Sequence, residues 1–141
     1  MGAQPRRQHL SFRLPEPTLE RLEARAHQIR ETRTGLAERY LEEGLRMDEH
    51  PGIGFADGPA GRRAVLQGTG LDVWEVVATT KQSKGSADAA AGYLDLSSAQ
   101  VRAAVRYYAA YPAEVDDLLA RQEAAAAVEQ EATRRERAIL G

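Results

Sequence analysis

Three polar side chains near the N-terminus stand at alternate positions, separated by apolar residues. The polar residues are His9, Ser11 and Arg13, and the apolar ones are Leu10, Phe12 and Leu14. In a β-strand such alternation places one set on each face. An imidazole, a hydroxyl and a guanidinium on one face provide hydrogen-bond donors, acceptors and a fixed positive charge. That set is suited to recognition by hydrogen bonding.

The rest of the chain shows no catalytic or metal-binding pattern. His9, His27 and His50 lie far apart, their spacing fits no common metal motif, and the chain has no cysteine. No Ser-His-acid arrangement stands in a suitable context, and the carboxylates lie mainly on expected helix faces. We therefore expect that the protein is not an enzyme and uses no metal or other cofactor.

Composition indicates a soluble protein with different partners at its two ends. No apolar run approaches the roughly 18 residues that cross a bilayer, and the absence of cysteine fits a reducing compartment, so we expect a cytoplasmic protein with no membrane partner. The net charge is only −2, but residues 1–46 carry nine Arg against seven acids, whereas residues 113–141 carry four Arg against seven acids. The chain thus has a basic start and an acidic end, and we expect different partners at the two ends.

Two amphipathic helices are expected after the alternating segment, which stops at Pro15. Pro17 suits a first helical turn, and Thr34 is a plausible N-cap for the second helix. The apolar stripe of the first helix is Leu19, Leu22, Ala26 and Ile29, and that of the second is Leu36, Tyr40, Leu41 and Leu45. The predicted order is strand, helix, short turn, helix.

A single strand needs a partner for its backbone groups. If two copies of the chain align these strands antiparallel, each completes the other and the apolar face of the ribbon packs on four helices. The polar face then points outward, and a two-stranded ribbon fits the major groove of DNA. The alternative is an edge strand of a mixed fold with solvated arginines.

Residues 6–48 resemble the ribbon-helix-helix family of Arc/MetJ-type repressors, through "HLSFRLP" and "TRTGLAERYLEEGLR". The resemblance implies a domain over residues 6–50 that forms a homodimer through a swapped two-stranded ribbon. It also implies that His9, Ser11 and Arg13 read bases. The phosphate contacts would come from the second helix and the basic arm, through Arg6, Arg7, Arg33, Thr34 and the amide of Gly35. Thr32 replaces the usual small residue between the helices.

Residues 51–70 are rich in Gly and Pro and are predicted to be a linker with short strands. "RAVLQGTG" is expected to form a strand paired with "GIGF". The glycine spacing fits neither a Walker motif nor a dinucleotide fingerprint.

A small helix-turn-helix domain is predicted over residues 71–119. Leu71 to Thr80 is read as a short helix, Ser86 and Ser97 as N-caps of two helices around a tight turn, and Pro112 as the start of a further helix. Val101, Val105 and Tyr108 are expected on the buried face of the second of the paired helices, and Trp74, Tyr107 and Tyr108 in the core.

The stretch over residues 51–119 is similar to a family of small helix-turn-helix proteins grouped with VapB-type antitoxins. The motif "GRRAVLQGTGLDVW" carries the likeness, with Ala64 in place of a more usual proline. Members often accompany PIN-like toxins, so the resemblance implies a toxin as partner. A second DNA site is expected because a recognition helix presents its N-terminal side chains to DNA. It comprises Lys81, Lys84, Ser98, Gln100, Arg102 and Arg106. The alternative is a module that only packs.

Residues 120–141 are predicted to form a C-terminal helical tail of strong helix formers. Isolated helices are marginal in water, so the tail is expected to pair with its twin or to lie in a toxin's groove. The alternative is a frayed, solvated helix.

The sequence as a whole predicts a mainly α protein that binds double-stranded DNA as a homodimeric transcriptional repressor. The favoured function is the antitoxin of a type II toxin-antitoxin pair that represses its own operon and neutralises a PIN-like toxin. One alternative is a plasmid partition or copy-control protein, or another transcription factor without a toxin. Another is an interaction adaptor that does not bind DNA. Whether dimers assemble further along DNA stays open.

Overall fold

The fold is mainly helical, as the sequence predicts, with one small antiparallel sheet. The computed structural model describes residues 4–59 and 61–141. The chain divides into two compact units between Glu42 and Glu43, inside the second helix. The elements in chain order are α1 (Glu16–Gln28), α2 (Arg33–Glu49), β1 (Ile53–Gly58), β2 (Gly61–Leu66), β3 (Leu71–Asp72), α3 (Val73–Gln82), α4 (Ala87–Leu94), α5 (Ser98–Ala110) and α6 (Pro112–Leu140).

The first unit contains α1 and the greater part of α2. Pro17 lies in the first turn of α1, as expected, and Ala26 and Leu36 are the residues that the two helices bury fully. The predicted strand at residues 9–14 forms no strand in the single chain. The described part of this unit contains no other strand, so a strand here would find no partner among those residues. The ribbon between two copies therefore stays a prediction.

The start of α2 differs from the prediction. The helix begins at Arg33, and the hydroxyl of Thr32 accepts a 3.0 Å hydrogen bond from the amide of Gly35. An N-cap side chain accepts from the second or third amide of its helix, and Gly35 is the third residue after Thr32. Thr32 is therefore the N-cap, and the prediction of Thr34 is wrong.

The predicted linker is a folded part of the second unit. β1 and β2 pair antiparallel, with Gly54 opposite Val65, which confirms the expected strand pairing. Ile53, Ala64 and Leu66 are buried and belong to the core of this unit. The Gly- and Pro-rich composition thus marks a hairpin and its turns.

The glycines of "QGTG" have a conformational purpose. Gly68 and Gly70 have φ of 76° and 73°, a region that favours glycine over other residues. Between them, the hydroxyl of Thr69 donates to the carbonyl of Leu66 and accepts from the amide of Leu71. This turn reverses the chain from β2 into β3.

The predicted helix, tight turn and helix are present as α4 and α5. The hydroxyl of Ser86 accepts from the amide of Ala89, and that of Ser97 accepts from the amide of Gln100, so both predicted N-caps are confirmed. The Gln100 side chain in turn accepts from the amide of Ser97 at 2.9 Å and completes a capping box. Each of these bonds satisfies an amide that the start of a helix leaves free.

The buried face of α5 is rotated from the expected one. Val101 is buried, as predicted, but Ala104 and Tyr107 follow it into the core, and Val105 is 36% exposed. The expectation of a buried Val105 is therefore wrong. Tyr108 is half-buried against the core, as is Trp74, in agreement with their predicted roles.

A single core holds the sheet and helices of the second unit. Its members are the buried residues Ile53, Ala64, Leu66, Val73, Val76, Val77, Ala90, Ala91, Val101, Ala104, Tyr107 and Val115. α6 joins this core only through its first two turns, where Val115 and Leu118 are buried and Leu119 is half-buried. None of the described helices combines the length and the apolar character that a bilayer crossing requires.

Candidate nucleic-acid interface

The N-terminal segment presents both of its side-chain sets to solvent. His9, Ser11 and Arg13 are exposed, as a recognition surface requires. The apolar set is exposed as well, with Leu10 at 75% and Phe12 at 59%. Burying an apolar side chain of this size contributes roughly 1.5–3 kcal/mol to stability. Leu10 and Phe12 do not gain this free energy in the single chain.

An open apolar groove lies beside this segment in the first unit. It encloses about 670 Å³. Its apolar lining consists of Phe12, Leu14, Leu22, Ala24, Ala37, Tyr40 and Leu41. Tyr40 and Leu41 are exposed on α2, although their place in the helical stripe predicts burial. The inner face of the two helices is thus only partly covered by the chain itself.

The predicted phosphate-binding residues of the first unit are exposed, but two of them form ion pairs. Arg33 donates to Glu23 at 2.6 Å, and Arg7 is paired with Glu38. Arg6 and Arg13 have no ion-pair partner among the residues that the structure describes. Ion pairs between exposed side chains contribute little free energy, so a phosphate can displace the carboxylate partner of Arg33 or Arg7.

The amide of Gly35, expected to bind phosphate, already has an acceptor. It donates to the hydroxyl of Thr32 within the cap of α2. The side chains of Arg33 and Thr34 stand beside it at the start of the helix, where the helix dipole favours an anion. Arg33, Thr34 and Gly35 thus stand together at the start of α2, with the amide of Gly35 already engaged.

Three residues of the second predicted DNA site are engaged within the chain. The ammonium group of Lys81 donates to the hydroxyl of Tyr108 at 3.2 Å, which raises the pKa of Lys81. Ser98 donates from its hydroxyl to Asp88. Gln100 completes the cap of α5 with its side-chain oxygen. These contacts assign Lys81, Ser98 and Gln100 structural roles in the single chain.

The other three residues of that site remain exposed and uncommitted. Arg102 and Arg106 lie on α5, and Lys84 lies in the turn between α3 and α4. None of the three has an ion-pair partner within residues 4–59 and 61–141. Three of the six predicted residues therefore have partners within the chain, and three are exposed without an ion-pair partner among the described residues.

Sequence reasoning missed the polar cluster that fixes α5. The hydroxyl of Tyr107 donates to Glu114 at 2.6 Å and accepts from Arg46 at 2.8 Å. Burial, together with the hydrogen bond to Glu114, raises the pKa of Tyr107, which keeps its hydroxyl protonated as a donor. The guanidinium of Arg46 also lies 3.8 Å from the centre of the Tyr111 ring. No local pattern indicates these contacts, because Arg46 and Tyr107 are 61 positions apart.

A second missed cluster anchors the hairpin. The carboxylate of Asp72, itself buried, accepts from Arg63 at 2.7 Å and from the indole of Trp74 at 2.9 Å. On the neighbouring residue of β2, Arg62 forms a two-bond pair with Glu43, and this hydrogen bonding raises the pKa of Arg62. Both clusters link elements of the second unit to one another.

The tail is a continuous extension of α6 and has few contacts. Beyond Leu119 nearly every side chain is exposed, including Val128, Leu140 and Ile139, the last at 84%. Glu131 pairs with Arg134 and Arg135 along the helix itself. The predicted helical tail is therefore confirmed as a helix, and its apolar side chains are free to meet a partner.

Within the described ranges no group of three or more His, Cys, Asp or Glu residues is placed to hold a metal ion. Comparison of the chain with protein-family models, with curated proteins and with solved structures gave no match.

Proposed function

We propose that the chain is a homodimeric transcriptional repressor that binds double-stranded DNA through a ribbon of two N-terminal segments. The observation that carries this proposal is the exposure of Leu10 and Phe12 beside the apolar groove of the first unit. A second copy supplies what the described part of the first unit lacks, namely a strand to pair with and an apolar face to cover the groove. The partner segment has the same alternation, so one symmetric contact satisfies both copies.

The ribbon places recognition chemistry on its outer face. His9 and Ser11 hydrogen-bond base edges, and Arg13 pairs with guanine through two hydrogen bonds. Arg33 and Thr34 at the start of α2 hold a phosphate on either side of the groove, with Arg6 and Arg7 as a basic arm. Because the Gly35 amide already donates to the hydroxyl of Thr32, the side chains of these residues bind the phosphate.

The test is a binding titration with the DNA upstream of the chain's own gene. Fluorescence anisotropy should show specific binding that weakens steeply as salt rises, since phosphate contacts release counterions. Arg13→Ala should cost about 1–3 kcal/mol on this DNA and much less on random duplex. Arg137→Ala is the matched control, because Arg137 is also exposed and has no ion-pair partner among the described residues. Equal binding by the Arg13 variant and the parent on both duplexes would contradict base reading by the ribbon.

We extend the proposal to an antitoxin that represses its own operon and neutralises a PIN-like toxin. The exposed part of α6, residues 120–140, supports this extension. Most of the stability of a helix in a protein comes from packing of its apolar face, and Val128, Ile139 and Leu140 are exposed apolar anchors for a protein groove. The acidic balance of residues 113–141, seven acids against four Arg, suits a basic nuclease surface.

The product of the neighbouring gene tests this extension. A PIN-like nuclease that copurifies with the full chain, and that loses binding when Val128 and Ile139 are changed to Asp, supports the antitoxin. A neighbouring Walker ATPase would favour a partition protein instead. Failure of the chain to bind any duplex at low salt would favour an adaptor.

A further inference from the structure

The basic side chains of the second unit are mostly tied to acids. The paired cations are Arg46, Arg62, Arg63, Lys81, Arg121, Arg134 and Arg135. In the described part of this unit four cations have no ion-pair partner, and they are Lys84, Arg102, Arg106 and Arg137. Two of these four, Arg102 and Arg106, stand on the same helix, α5.

Arg102 and Arg106 share the outer face of α5. They are four positions apart, so their side chains are neighbours on the helix, about 6 Å apart along its axis. The opposite face, with Val101, Ala104 and Tyr107, is fixed in the core. α5 contains no acidic residue that could pair with either arginine along the helix. The two arginines therefore leave the helix at a defined spacing, on the side away from the core.

The residues of α5 that would read bases are already engaged. In a helix-turn-helix the side chains at the start of the second helix contact base edges. Here Ser98 donates to Asp88, and Gln100 accepts from the amide of Ser97. Releasing the Gln100 side chain would break one of the two hydrogen bonds of the capping box that starts α5. The start of α5 is thus poorly suited to base reading, whereas its middle presents two free charges.

We infer that α5 binds the DNA backbone through Arg102 and Arg106 and does not read the sequence. This inference rests on the proposed function, because it assigns a second contact with the same duplex. Successive phosphates follow one another every ~3.4 Å along the duplex axis, so the two arginines can reach phosphates of one strand. Each chain then contacts DNA twice, with the ribbon giving specificity and α5 adding affinity.

The experiment compares Arg102→Gln/Arg106→Gln with the parent on the upstream DNA and on random duplex, over a series of salt concentrations. The salt slope of binding should fall by about 2 per chain, one for each phosphate that an arginine no longer neutralises. Affinity should fall by the same factor on both duplexes, so that the specificity ratio is unchanged. Arg102→Lys/Arg106→Lys should keep the parental slope, because a phosphate contact needs a charge, whereas paired hydrogen bonds to guanine need arginine.

The control is Arg134→Gln/Arg135→Gln, which changes the net charge equally on α6. It should leave the slope unchanged, and circular dichroism should show that both double variants are folded. A parental slope in the Arg102/Arg106 variant, or a weakening confined to the upstream DNA, would overturn the inference. If the parent itself binds no duplex, the proposed function fails. If the parent binds and the double variant matches it, only the inference about α5 fails.

Discussion

The guanidinium of Arg46 on α2 donates a 2.8 Å hydrogen bond to the hydroxyl of Tyr107 on α5. The same arginine pairs with Glu114 at the start of α6, and Tyr107 donates to that carboxylate as well. α2 thus meets the consecutive helices α5 and α6 at one closed triangle of hydrogen bonds. Because Tyr107 is fully buried, its hydroxyl depends on these partners for its hydrogen bonds.

Tyr107→Phe should lower the free energy of unfolding by about 1–2 kcal/mol, since it removes a buried hydroxyl that bonds to two charged groups. The ring keeps its place, and Arg46 keeps its pair with Glu114, so the fold should persist. Urea denaturation should show a lower midpoint with an unchanged slope. Tyr93→Phe is the control, because Tyr93 is 81% exposed, and it should stay within about 0.5 kcal/mol of the parent. Equal midpoints for the two variants would contradict a stabilising role for the triangle.

Asp72→Ala should destabilise the second unit by roughly 2 kcal/mol, because it leaves the Nε of Arg63 and the indole of Trp74 without their acceptor. Trp74 is the only tryptophan, so its fluorescence in the folded state should also change. Asp57→Ala is the matched control. Its carboxylate is largely exposed, and its partner Arg62 keeps the pair with Glu43. If Asp72→Ala melts at the same temperature as Asp57→Ala, the hairpin does not depend on this carboxylate.

Local signals in the sequence were enough to place the starts of α4, α5 and α6. The N-cap serines and Pro112 mark the starts of α4, α5 and α6, because a cap acts on amides within a few residues of itself. The same logic predicted the pairing of β1 with β2, since turn residues separate two short apolar runs. Local signals did not predict which face of α5 is buried. Tyr107 lies on that face and bonds to Arg46 and Glu114, which lie on other helices.

The candidate interface was predicted less completely, for a related reason. Residue type and spacing identify Arg102 and Lys81 equally well as phosphate ligands. Only the structure separates them, because Tyr108 and Asp116 engage Lys81 while Arg102 has no ion-pair partner among the described residues. Whether a charge is free depends on side chains that lie far away in sequence.

The N-cap of α2 gives a prediction that separates two neighbouring threonines. Thr32→Ala should destabilise the protein by about 1 kcal/mol, because it removes the acceptor of the Gly35 amide. Thr34→Ala should change stability by no more than about 0.5 kcal/mol, since Thr34 is an exposed residue within the first turn. Both variants should be denatured at one protein concentration, because dimer formation links stability to concentration. A larger loss of stability for Thr34→Ala than for Thr32→Ala would identify Thr34 as the N-cap.

Phe12→Asp should prevent formation of the proposed dimer. The variant places a charge in the middle of the apolar face that the ribbon would bury, and a buried carboxylate without a partner is strongly unfavourable. Sedimentation at micromolar concentration should give the mass of a dimer for the parent and of a monomer for the variant, and specific DNA binding should disappear with the dimer. Tyr93→Asp provides the control, because it introduces the same charge at an exposed residue of α4. A parent that sediments as a monomer, or a Phe12 variant that remains a dimer, would refute pairing of the N-terminal segments.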